Sequence, residues 1–123
     1  MAVAVIGVIA VFFLGMGVYA IAAPAALVRP FGITLGKSAS RSEVRAVYGG
    51  FGLAIAGVLV YAAVADGDVR TGILITVGAA LAGMAFGSFA AAVLGDRTAF
   101  YPNWFYFLVE VAAAAALFGV CVA

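Results

Sequence analysis

Arg45 and Glu110 are ionisable residues set inside stretches that are otherwise apolar enough to cross a membrane. Holding a charge in hydrocarbon is costly, so such residues are kept where they are paired or where they handle an ion, a proton or a ligand. In the fourth apolar stretch Asn103, Tyr106 and Glu110 recur at i, i+3 and i+7 and share one helix face. In the second, Arg41, Arg45, Tyr48 and Gly52 recur at i, i+4, i+7 and i+11 and share another. Both stretches start from the same side. At ~1.5 Å rise per residue Arg45 and Glu110 differ in depth by about one helical turn, within reach of an arginine. The expectation is an Arg45–Glu110 ion pair, with Glu43 as a competitor nearer the interface. Tyr48, Asn103 and Tyr106 would then complete a polar pocket, and Gly49 and Gly52 would leave room beside it. Such a constellation either fixes helix register or binds a ligand, ion or proton.

Other chemistry is largely excluded by residue type. Histidine is absent and Cys121 is the one cysteine. Imidazole acid–base catalysis, a Ser–His–Asp triad, an internal disulfide and most zinc chemistry therefore have no residues to carry them. Glu43 and Glu110 are two acids with nothing beside them that suggests catalysis, so a non-enzyme without cofactor or metal is expected. Gly32-Ile33-Thr34-Leu35-Gly36-Lys37-Ser38 resembles a phosphate-binding loop, but three residues separate its glycines where that motif needs four. Phe100, Tyr101, Trp104, Phe105 and Tyr106 read as an interfacial aromatic belt. With a net charge of +1 there is no basic patch for nucleic acid.

The elements that position these residues follow from hydropathy. Hydrophobic residues make up 68% of the 123 and charged residues 9%, and the mean hydropathy is +1.31. That leaves too few polar side chains to coat a water-facing domain. Four apolar runs, about 2–23, 43–65, 69–94 and 102–122, each suffice for a membrane-crossing helix. The fold expected is all-α: one integral-membrane domain, residues 1–123, as a compact antiparallel four-helix bundle. The first run lacks the basic start of a signal peptide and is too long for one. Residues 24–41 read as an interfacial loop carrying Arg29, Lys37 and Arg41. Ser40 and Glu43 stand at capping-box spacing before the second span. Ala79, Gly83, Gly87 and Ala91 recur every four residues along the third span, forming a small-residue ladder expected to pack within the bundle rather than in a dimer. The first and third connections hold Arg29, Lys37, Arg41 and Arg97, which places them in the cytoplasm and both termini outside.

The stretch Ser42-Glu43-Val44-Arg45-Ala46-Val47-Tyr48-Gly49-Gly50, following a loop with proline and glycine, resembles a bacterial family of small four-span membrane proteins. That family is known as a domain of unknown function. The resemblance covers nearly the whole chain and includes an acidic residue in the last span, where Glu110 stands. It implies a bacterial inner-membrane protein and supplies no activity. With almost no mass outside the bilayer, the first expectation is an accessory or assembly subunit, its partner another membrane protein or a second copy. The alternative is a small transporter, or a lipid- or small-molecule-binding protein, centred on Glu110 and Arg45.

Overall fold

The computed structural model describes residues 1–122. The chain is helical with no strand among the described residues. Helix α1 spans Ala2–Ala22 and is followed by a short α2, Pro24–Val28, and a 3-10 turn, Arg29–Phe31. Helix α3, Ser38–Val44, runs through a π-helical turn, Arg45–Gly50, into α4, Phe51–Val64. Helix α5 spans Gly67–Val93. A second π-helical turn, Phe100–Trp104, leads into α6, Phe105–Val122. Four helical segments, Ala2–Ala22, Ser38–Val64, Gly67–Val93 and Phe100–Val122, are long and apolar enough to cross a membrane, the last of them kinked at Tyr101, whose φ of −99° and ψ of 135° are not helical. They are spans one to four, and the protein is a multi-pass membrane protein.

Several boundaries differ from the sequence reading. The expected interfacial loop 24–41 is largely helical, and only residues 32–37 lie outside helices. Span two begins at Ser38, with Lys37 as its N-cap and no side-chain cap bond, so the Ser40–Glu43 capping box is not formed. Once the helix starts this early, Ser40 lies inside it, and the Glu43 N–H that its side chain would cap already falls within the helix's own bonding.

The bundle consists of two tight hairpins. Span one packs chiefly on span two and span three chiefly on span four, while α4–α5 and α1–α6 contacts join them. Glycine makes the first hairpin close. A Cβ added at Gly17 would stand 2.9 Å from Gly49 O and from Leu53 N, and one at Gly52 would stand 3.1 Å from Gly17 Cα. With no hydrophobic drive between helices in lipid, this backbone approach is what brings dispersion contacts into range.

One large side chain from each span is wholly buried: Ile6, Leu59, Leu74 and Leu117. By their chain positions these four lie in the half of the bundle where the chain turns from span two to span three. In the other half span four is looser, because the buried residues of α6, Ala114 and Leu117, both belong to its second half.

Arginines satisfy the helix ends that face this arrangement. Arg70 Nε donates to Ala62 O (2.8 Å) and Ala65 O (3.1 Å), and its Nη2 donates to Ala63 O (2.9 Å). These carbonyls end α4 and have no intrahelical donor of their own. At the close of α5 the chain turns through Gly95, whose φ of +113° suits glycine. Gly95 N–H donates to Ala92 O and Asp96 N–H to Ala91 O, the bond pair of a Schellman turn. This turn sends the 94–99 connection back across the open half of the bundle.

Candidate functional site

The expected Arg45–Glu110 pair does not form. Arg45 Nε donates instead to Ile21 O at 2.9 Å, holding the C-terminal end of span one. Arg45, Glu43 and Tyr48 are all exposed on the outside of the first hairpin. The reason lies in the backbone. The π-helical turn at Arg45–Gly50 takes i→i+5 bonds and one extra residue. Residues before it are therefore rotated by about 100° relative to those after it. A face counted at i, i+4, i+7 and i+11 across this turn is not a face in the folded chain.

Asn103 and Glu110 do come together, against span three rather than span two. They line a cleft of about 440 Å³ with Met84, Gly87, Ser88 and Ala91 of α5, Asp96 and Thr98 of the connection, and Trp104. A shallower cleft of about 390 Å³ shares Thr98 and Trp104 with it and adds Ala92, Val93 and Arg97. Together they form one groove running from Glu110 to the 94–99 connection. The groove exists because the first half of α6 buries nothing fully, while Gly87 and Ala91 present no bulk to fill the gap.

Tyr106 turns the other way. Its ring centroid lies 5.8 Å from Phe31 and 6.4 Å from Tyr101. The start of span four is thus held to the first connection by aromatic contact. Trp104 meets Phe107 edge-on at 5.0 Å and 73°, an arrangement that suits the ring quadrupoles.

Glu110 is the unusual group of the cleft. Its Oε1 is shielded from the surroundings yet has no hydrogen-bond partner among the described residues. Most buried polar atoms in folded proteins are bonded, so an exception calls for an explanation. The two threonines of α5, by contrast, are bonded: Thr71 donates to Gly67 O (3.1 Å) and Thr76 to Gly72 O (2.8 Å).

The small-residue ladder is also placed differently from expectation. Ala79, Gly83 and Gly87 are exposed, and a Cβ at Gly83 or Gly87 would meet nothing within 4 Å. The ladder faces outward, and only Gly87 and Ala91 also border the cleft. Its glycines leave the α5–α6 contact to Gly78, where an added Cβ would stand 2.8 Å from the Phe118 ring.

Sequence reasoning missed Ser88, Asp96, Thr98, Met84 and Trp104 as companions of Glu110. One signal was available. The short 94–99 connection makes spans three and four a hairpin, and Ser88 is the polar residue of α5 nearest Glu110 in depth.

A family model described as Domain of unknown function (DUF4345) matches residues 1–121, and the chain belongs to that family. No curated protein matches it, and no solved structure does.

Proposed function

For this member of the family we propose a non-enzymatic membrane protein that binds a small molecule or lipid in the cleft between spans three and four. The observation that carries this reading is the shielded, unpartnered Oε1 of Glu110 beside an open groove. A carboxyl oxygen out of water and without a donor is destabilising, and a ligand that draws the Glu110 carboxyl round to the groove can supply the donor that the chain does not. The cleft volume also falls in the range of small-molecule sites. Arg45 has no part in this site, because its guanidinium is engaged at Ile21. The absence of histidine supports a binding rather than a catalytic role. A carrier and a lipid-binding protein share this binding step, and ligand- or proton-dependent flux in liposomes separates them.

The test is native mass spectrometry of the protein extracted gently from its own membranes, beside Gly87→Leu, which fills the groove from α5. The wild type is expected to retain a bound mass that Gly87→Leu loses. A wild-type chain carrying nothing above the detergent background argues against the reading.

A second reading, an accessory or assembly subunit, is supported by the outward ladder at Ala79, Gly83 and Gly87, where another helix could approach closely. Gly83→Leu bulks the ladder without entering the cleft. Loss of a co-purifying membrane protein, or of a dimer, in Gly83→Leu alone would favour the subunit role. We place the protein in a bacterial inner membrane with both termini outside the cytoplasm. The exposed Arg29, Lys37, Arg45 and Arg97 at one end of the bundle support this orientation.

A further inference from the structure

We propose that the cleft selects an organic ammonium carrying a lipophilic tail, a proposal that rests on the cleft being a binding site. Two carboxyl groups, Glu110 deep in the cleft and Asp96 on the connection, line it together with the amide of Asn103 and the indole of Trp104. The neighbouring cation, Arg97, belongs to the outer part of the groove and is exposed. The inner site is therefore acidic, with an acceptor at Glu110 Oε1 that no group of the chain satisfies. An ammonium group in the groove donates to the Glu110 carboxyl once that group turns to face it, and an aromatic wall attracts the same cation through its quadrupole.

The competing ligand classes fit less well. A bare metal ion needs several oxygen, nitrogen or sulfur ligands at short range. No group of three or more Asp, Glu, Cys or His residues stands together among the described residues. A cavity of about 440 Å³ is also far larger than an ion requires. An anion would meet two carboxyl groups, and a neutral alcohol offers one donor where an ammonium offers three. The tail has its own place: Met84, Gly87 and Ala91 line the α5 wall of the cleft.

Trp104 is the one tryptophan of the chain, so its fluorescence reports the site directly. The full chain in maltoside micelles would be titrated at pH 7 with dodecylammonium, dodecyl sulfate and dodecanol, which share one tail and differ in headgroup charge. A saturable Trp104 response to dodecylammonium is expected, at least about tenfold tighter than to either of the others. Glu110→Gln should weaken it to the level of dodecanol while its circular-dichroism melting remains cooperative. Equal saturable binding of all three amphiphiles would overturn ammonium selectivity and leave the cleft a binding site. No saturable response to any of them would overturn both. The wild-type comparison decides the matter even where Glu110→Gln fails to fold. In phosphatidylcholine nanodiscs, competition by added phosphatidylethanolamine would assign the ammonium to a membrane lipid, and an undiminished dodecylammonium response would assign it to a free amine.

Discussion

Arg45 and Arg70 do the same work at two different helix ends, and that work keeps Arg45 from Glu110. Each guanidinium donates to carbonyls that close the preceding span: Ile21 O for Arg45, and Ala62, Ala63 and Ala65 O for Arg70. Such carbonyls lie beyond the reach of intrahelical donors, and a planar guanidinium with five N–H groups can serve several at once. Arg70→Met is accordingly expected to lower unfolding stability in detergent by about 1–3 kcal/mol, read from chemical or thermal unfolding. Arg45→Met, which removes a single such bond at an exposed site, should cost less. Glu110→Gln should behave in the opposite sense to a broken ion pair. It exchanges a shielded carboxyl for a neutral amide and strands no cation, so its melting temperature should be no lower than that of the wild type. A clear drop would mean that Glu110 has a structural partner after all.

At the scale of elements, two kinds of glycine must be told apart. Gly17 and Gly52 sit where spans one and two touch backbone to backbone, whereas Gly83 meets nothing within 4 Å. Gly17→Ala forces main-chain atoms apart and is expected to destabilise the protein by about 1–3 kcal/mol. Gly83→Ala relieves glycine's helix penalty at an open site and should be neutral or slightly stabilising. Parallel melts of the two variants check this, and equal effects would refute the assignment of the close interface to the first hairpin. The π-helical turn at Arg45–Gly50 belongs to the same interface, since Gly49 is buried there against span one. Its extra residue turns Arg45 and Tyr48 away from the last span.

Spans three and four are packed firmly at one end of the molecule and open at the other, where spans one and two stay close. Ile6, Leu59, Leu74 and Leu117 close the first end. At the second, the hairpin of spans three and four opens into the Glu110 groove beside the exposed Arg29, Lys37 and Arg97. If those cations lie on the cytoplasmic side, ligands reach the groove from the cytoplasm or from the inner leaflet. A C-terminal fusion to a reporter active only outside the cytoplasm is expected to be active, and fusion at the 94–99 connection inactive. The reverse pattern would invert the access route without altering the fold.

Four long apolar runs in a chain with 9% charged residues leave no option but membrane-crossing helices, because backbone groups in lipid must be satisfied within the span. The number of spans and their order were thus legible from composition and periodicity alone. Which helix faces which was not. Depth can be counted along a helix, but lateral neighbours depend on phase, and one π-helical turn shifts phase by an amount that hydropathy does not record. The partner of Arg45 therefore became a main-chain carbonyl. Small residues carry a similar ambiguity, since Gly17 and Gly83 read alike in sequence. Only the tertiary structure, by placing a backbone 2.9 Å from the one and nothing near the other, decides which of them holds the bundle together and which is left facing outward.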